Sequence, residues 1–502
     1  MTVSVSARRS VPEALVPLAW ARVGSIAVAG IAFHLATASM YGLHRDEYYY
    51  LAAGRHLAWG YVDQPPVTPL LYRLAASLLG TSTLGLHVFP ALIGAVTVVL
   101  ASMVAREMGG GAAAQAMTAA VAASAPLFVA TGRFLSTVTV DIAVWCAATL
   151  LVARLLRSAD VRLWLAVGAV VGVGLMNKWT VAIWVLAMGA AMLLSPARGL
   201  LRSGWLIAGA LVALASVAPN LAWQASHHWA SVEFAGALRH RTGAENLALF
   251  LPFQLVLPTA AGVLLWSVGL RWMVRSPIGA VYAPIGIAFV VVLVVCFSSE
   301  AKAYYAGSMY LPIIAAGAVA VESSWPDAAR GRLTVALLVL AALTLPFVTP
   351  VLPERSLRAV ALHSVNHDLG AMLGWQGVAR RLGEVQASLP PASAPSAVIL
   401  TGTYSEAGAV DYWRTTYHLG PAISGHNGYW WWGWGPAGDG PIITDGLSPA
   451  LLRTMFADVH VVGAMRGRGD LLDAEEAGAP IAVCWHPLVP WPQLWPRLRR
   501  YA

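Results

Sequence analysis

The sequence predicts a polytopic α-helical membrane protein that ends in a small α/β domain, and three observations predict it. Hydrophobic residues make up 58% of the chain against 11% charged, with a mean hydropathy of +0.66, a balance that a water-soluble globule of this length does not tolerate. Apolar runs of the length that crosses a hydrocarbon core of about 30 Å recur from near residue 20 to residue 350 and then stop. Arginines punctuate those runs at alternate ends, as basic residues retained on the cytoplasmic side do.

The expected spans, about 11 in number, are 22–40, 87–105, 113–131, 138–156, 162–177, 179–195, 203–222, 250–270, 278–298, 306–322 and 332–350. With the N-terminus inside, the inner loops receive Arg8 and Arg9, Arg106, Arg154 with Arg157 and Arg162, Arg198 with Arg202, Arg271 with Arg275, and Arg330 with Arg332. This orientation puts the tail outside a plasma membrane, and the first span reads as a retained anchor. The net charge of +8 therefore reads as topology together with attraction to anionic lipid. No basic run interleaved with aromatics suits nucleic acid. Cys146, Cys296 and Cys484 offer neither a disulfide framework nor zinc spacing and read as packing residues.

The chain divides into a membrane part, 1–350, and an outer domain, 351–502, with Pro346, Pro350 and Pro353 at the join. In the tail, apolar runs at 397–400 and 459–462 alternate with amphipathic stretches such as 405–416, the pattern of a small α/β unit. The run Gly425-His426-Asn427-Gly428-Tyr429-Trp430-Trp431-Trp432-Gly433-Trp434 suits core or interfacial packing and also stacking on sugar faces.

Unusual polar residues collect on the outer face. Asp46 and Glu47 follow the first span and precede Tyr48, Tyr49 and Tyr50; a carboxylate pair at a membrane boundary is costly unless it binds or reacts with something. Asp63 precedes Gln64-Pro65-Pro66, whose stiffness gives it a loop-fixing role. Lys178 and Lys302 are the only lysines in an arginine-rich chain, and a compact ammonium suits a phosphate as a point charge; the alternative is snorkelling to headgroups. Asp141, near the start of a span, needs a partner, for which Arg133 is the natural candidate. Tyr304 and Tyr305 follow Lys302, and His227 with His228 follows another span; as a lone dipeptide these histidines carry little specificity for a metal.

One carboxylate with cations suits transfer of a sugar from the phosphate of a lipid carrier. That leaving group is already an acid, so no general acid is needed, unlike glycoside hydrolysis. The carboxylate accepts the proton of the attacking hydroxyl while Lys and Arg stabilise the departing phosphate. Lysines can replace a divalent ion here, and no metal is indicated. A transporter or flippase for a lipid-linked sugar is the rival reading, disfavoured because neither broken helices nor internal symmetry is legible and because the polar residues lie on one side. A sugar-binding membrane anchor is a third.

The runs Asp46-Glu47-Tyr48-Tyr49-Tyr50, Gly60-Tyr61-Val62-Asp63-Gln64-Pro65-Pro66, Asn177-Lys178-Trp179-Thr180, Pro219-Asn220-Leu221-Ala222-Trp223-Gln224 and Lys302-Ala303-Tyr304-Tyr305 resemble bacterial members of glycosyltransferase family 39, which is similar to protein O-mannosyltransferases and to the aminoarabinose transferases of lipid A. The resemblance implies a GT-C fold, a polyprenyl-phosphate-linked sugar donor carrying mannose or another hexose or pentose, an outward-facing cavity and inversion at the anomeric carbon. It implies Asp46 as catalytic base and Glu47 as the neighbour orienting the acceptor or base. Lys178, Lys302 and Arg133 are expected at the donor phosphate, and Asp63, Asp141, His227, Tyr304 and Tyr305 at the substrate. The acceptor is left open among a glycan, a lipid, a secreted metabolite and a protein. The tail lacks the length and pattern of β-trefoil repeats.

Overall fold

A computed structural model describes residues 15–354, 356, 366–465 and 477–501; Arg8 and Arg9 lie outside the described residues. Among the described residues, seven helices are long and apolar enough to span a membrane, or up to nine if each of two bent pairs is one span, and three shorter apolar helices accompany them. The short expected spans at 162–177 and 179–195 correspond to Leu163–Leu175 and Val181–Leu193; the third short helix, Val67–Leu79, lies between the first two expected spans.

The bent pairs correct the sequence reading. Ala112–Ser124 and Pro126–Arg133 meet at 59°, and Ala230–Val256 and Thr259–Arg275 at 86°. The single span expected at 250–270 is therefore cut at Leu257-Pro258, because proline has no N–H to continue the ladder and clashes with the preceding turn. Broken helices are thus present, and their supposed absence is no longer an argument against transport.

The first long loop is helical too. Arg45–Arg55 is capped by His44, whose ring Nδ1 accepts from the Asp46 N–H while Glu47 reaches back to the His44 N–H. This is a capping box with histidine in the place where Ser, Thr, Asp or Asn is usual. Thr137–Ser158 starts on Ser136, which exchanges contacts with Thr139, and this cap fixes the helix end that carries Asp141.

The C-terminal region holds a five-stranded sheet, β1 Val398–Thr401, β2 Ala422–Ser424, β3 Ile442–Asp445, β4 Phe456–Ala464 and β5 Pro480–Pro487, in the order β2-β1-β3-β5-β4. Strands β1, β2 and β3 run parallel and β5 is antiparallel to both its neighbours. The expected strands at 397–400 and 459–462 fall in β1 and β4, and the expected amphipathic helix is Tyr404–Tyr417. That helix begins on a Thr403–Glu406 capping box immediately after β1. It then packs on Arg45–Arg55 at Gly408, where a Cβ would lie 2.7 Å from the Tyr48 carbonyl carbon, so only glycine lets the two helices approach this closely. The same packing delivers Tyr404 to the acidic helix.

Candidate functional site

Accessibility separates two kinds of polar residue around Asp46. Arg45, Asp46, Asp63, Lys178, Lys302, Tyr304 and Tyr305 are half-buried, whereas His44, Glu47 and Asp141 are fully buried behind them. The first set has accessible groups for a ligand, and the second holds them in place.

Asp46 is held from two sides. Its Oδ1 accepts from the Tyr404 hydroxyl at 2.9 Å and lies 3.9 Å from Arg45 Nε, while Oδ2 lies 3.8 Å from His44 Nδ1. His44 stacks on Phe134 with ring centroids 4.6 Å apart, and its Nε2 faces Asp368 at 3.7 Å. Burial disfavours the imidazolium, but the facing Asp368 carboxylate and the charge of Asp46 outweigh it and push His44 upward. Asp368, whose side chain is exposed, is brought down to about 2 by the facing His44, with the charges of Lys302 and Arg45.

Glu47 differs from its neighbour. Its carboxylate accepts from the His44 N–H at 2.8 Å and from the Tyr72 hydroxyl at 3.1 Å, and it meets His87 Nε2 at 3.1 Å. Burial works against the charge, and His87 and the His44 N–H hold the carboxyl below the ordinary range nonetheless. With only 1% of its surface exposed, Glu47 is committed to the cap and acts on Asp46 through helix position.

Asp63 accepts from the Tyr49 hydroxyl at 2.8 Å, and the Tyr49 ring lies 4.7 Å from that of Tyr404. Desolvation, with a smaller push from Asp46, raises Asp63 to about 7 despite the Tyr49 bond. The unfolded chain releases this proton near 3.9 and the folded one near 7, so the folded state binds it more tightly and loses stability as pH rises between those values. Asp63→Asn has no such proton to lose. Its melting temperature relative to the native chain is expected to climb from pH 4 to pH 7 and then level off; a flat difference across that window in thermal unfolding would place Asp63 in the ordinary carboxylate range.

The two lysines converge, as their rarity suggests. Lys178 Nζ lies 4.1 Å from the centre of the Tyr305 ring and 5.5 Å from that of Tyr304, and Lys302 Nζ lies 5.9 Å from the Tyr304 ring. Desolvation, helped by Lys302 and opposed by Asp141, lowers Lys178 to about 8. Behind it, Asp141 accepts from Trp145 Nε1 at 3.0 Å, Thr180 Oγ1 at 3.0 Å and Ser308 Oγ at 3.1 Å.

One expectation changes. Arg133 does not pair with Asp141: at the end of Pro126–Arg133 it meets the end of Trp20–Thr37, where Nη1 donates to the Thr37 carbonyl at 2.9 Å and its charge acts on the buried Glu47. The cation acting on Asp141 is Lys178. His227, expected at the substrate, stacks on Trp223. Tyr404, Asp368 and Arg45 join the site without having been singled out. Gln64 is buried with neither amide atom hydrogen-bonded among the described residues. Tyr404 could have been noticed within Tyr404-Ser405-Glu406-Ala407-Gly408, but its destination is 358 residues away in the chain.

A family model described as dolichyl-phosphate-mannose-protein mannosyltransferase matches residues 63–223. Among solved structures, ArnT from Cupriavidus metallidurans bound to undecaprenyl phosphate is similar with a TM-score of 0.60 at 15% identity, over 92% of this chain and 98% of that one. The apo state of the same protein gives 0.57 at 15% identity, over 92% and 97%. No curated protein sequence matches. At such identity the structural likeness speaks for the fold, and with the family-model match over residues 63–223 it bears out the resemblance read from the sequence: the chain has the GT-C fold and is similar to family 39.

Proposed function

We propose that the protein is an inverting glycosyltransferase that moves a sugar from a polyprenyl-phosphate carrier to an acceptor hydroxyl on the outer face of the membrane. The observation that carries this reading is an accessible carboxylate, Asp46, whose charge acts on Tyr304, the ring over which the two lysines gather. The ArnT fold likeness supports it, since that relative was solved with undecaprenyl phosphate. The same reading divides the chain near residue 350 into a membrane catalytic part and an outer domain.

In this mechanism the acceptor hydroxyl gives its proton to Asp46 Oδ2 as its oxygen attacks the anomeric carbon from the face opposite the phosphate. The carbon–oxygen bond to the phosphate breaks, and the electron pair leaves with the phosphate oxygen, whose charge Lys178 and Lys302 stabilise. Asp141 keeps Lys178 in place, and Arg45 and Asp63 border the sugar. Tyr404, by occupying Oδ1, leaves Oδ2 directed to the acceptor. Tyr404→Phe should therefore lower kcat about tenfold, about 1.4 kcal/mol, with the KM for donor unchanged; a rise in donor KM alone in steady-state kinetics would assign Tyr404 to donor binding.

The test of the function is incubation of purified protein with polyprenyl-phosphate-linked sugars and cell-envelope extract, followed by mass spectrometry of carrier and product. Release of free polyprenyl phosphate with a glycosylated product is expected. A transporter would return the donor intact, and that outcome would overturn the reading. The bent helix pairs leave the clustering of carboxylate and lysines as the argument that separates the two.

A further inference from the structure

The aromatic run in the tail divides by role. Tyr429 is buried with its hydroxyl on Asp411 at 2.8 Å, and Trp430 exchanges indole-to-carbonyl hydrogen bonds with Trp495 at 3.2 and 3.0 Å. Those two hold the sheet domain together. Trp431 and Trp432 are only partly buried, and they line a cavity of about 240 Å³ together with His56 and Gly60 of the first loop, Trp223 of Gly204–Ser226 and His227 that caps that helix. The cavity thus draws on three separate segments of chain.

Its walls are flat rings. His227 stacks on Trp223 with centroids 3.9 Å apart and planes 14° from parallel, His56 stacks on Trp432 at 4.4 Å and 12°, and Trp431 closes on His227 at 4.7 Å. Gly60 is required for this arrangement, since a Cβ there would stand 2.6 Å from the Trp223 ring and 2.7 Å from Asn220 Nδ2. Polar groups punctuate the rings. With its Nδ1 proton on the Trp223 carbonyl at 2.9 Å, His227 offers Nε2 as an acceptor. Among the described residues, no lysine, arginine or carboxylate lines the cavity. Rings with a few hydrogen-bonding atoms and no charge fit the face of a neutral sugar better than an anionic headgroup.

One ring separates this cavity from the carboxylates. Trp432 stacks on Tyr49 at 6.1 Å, Tyr49 holds Asp63 through its hydroxyl, and Tyr49 also packs on Tyr404, which holds Asp46. We propose that the cavity between His56, Trp223, His227, Trp431 and Trp432 is an acceptor subsite that binds a neutral sugar unit of an oligosaccharide, one residue or more away from the hydroxyl that is glycosylated. It rests on the glycosyltransferase reading and adds the acceptor class: a glycan, gripped by both the membrane part and the tail. Binding energy from a remote unit of this kind is spent on aligning the reacting hydroxyl.

The experiment uses the full-length protein in lipid nanodiscs on a printed array of glucose-, galactose-, mannose- and arabinose-based oligosaccharides. The native protein is expected to bind a subset of oligosaccharides and not the matching monosaccharides. Trp432→Ala and His227→Ala should each weaken that binding at least tenfold, and Trp432→Phe, which keeps a ring, should retain most of it. Thermal unfolding of each variant shows whether the fold persists, and His227, on the outer wall, provides the readout should Trp432→Ala loosen the domain contact. Native-level binding by His227→Ala and Trp432→Phe together with a folded, fully binding Trp432→Ala would overturn the proposal, as would an array with no oligosaccharide bound. Asp46→Asn should bind glycans as the native protein does. Failure of the glycosyltransferase reading would instead appear as donor returned intact by the native protein, whatever the array reports.

Discussion

Asp46→Asn is expected to reduce sugar transfer by about 10³-fold, within the range that a positioned general base contributes, while the protein remains folded in the membrane. The substitution keeps size and shape and still accepts from the Tyr404 hydroxyl, but an amide cannot take the acceptor's proton. Stability should change little, because Asp46 is half-buried at a helix start whose cap is made by His44 and Glu47. Glu47→Gln offers the contrast. Glu47 touches His44, Tyr72 and His87 and has 1% of its surface exposed, so its loss should show first in unfolding temperature and only then in rate. Transfer assays beside thermal unfolding for the two variants check this; a greater loss of rate in Glu47→Gln than in Asp46→Asn would exchange their roles.

Lys178→Gln should also be severe, and for two separable reasons. The carrier phosphate loses one of two ammonium groups, costing at least about 100-fold in kcat/KM, about 2.7 kcal/mol. Asp141 meanwhile loses the cation acting on it while remaining buried. Removing one partner of a buried charge pair costs about 3–5 kcal/mol where nothing else steadies the remaining charge; Trp145, Thr180 and Ser308 all donate to Asp141, so about 2 kcal/mol is expected. Adding Asp141→Asn should restore the unfolding temperature and leave transfer impaired. If the double variant recovered activity as well, Lys178 would be a structural counter-charge and Lys302 alone would remain at the phosphate.

How much of this was legible in the sequence depends on the range of the interactions involved. Long apolar runs declare themselves residue by residue and agree with the fold, and rare lysines in an arginine-rich chain stand out without any knowledge of contacts. The helix Arg45–Arg55 was hidden because it is short, rich in polar and aromatic residues, and capped by histidine, outside the usual set of capping residues. The break at Leu257-Pro258 was hidden because hydropathy runs straight through it. Arg133 and Asp141 are near in sequence, but they sit on different helices, Pro126–Arg133 and Thr137–Ser158, and take different partners, which composition does not write. Tyr404 could not be placed on Asp46 because the contact depends on how the tail docks. The aromatic run was read as packing or stacking, and the structure assigns Trp430 to packing while leaving Trp431 and Trp432 on a cavity wall.

The central claim is that a carboxylate on the outer face meets a lipid-borne donor there, and the side of the membrane on which the acidic loop lies tests it most directly. All three cysteines are buried, so a membrane-impermeant maleimide on intact cells should find little background. Leu57, 51% exposed two residues beyond Arg45–Arg55, is a site for an introduced thiol, and Ser158, exposed at the end of Thr137–Ser158, is its control for the other face. Leu57→Cys should label in intact cells and Ser158→Cys only after the cells are opened. The reverse pattern would put Asp46 in the cytosol and contradict the account.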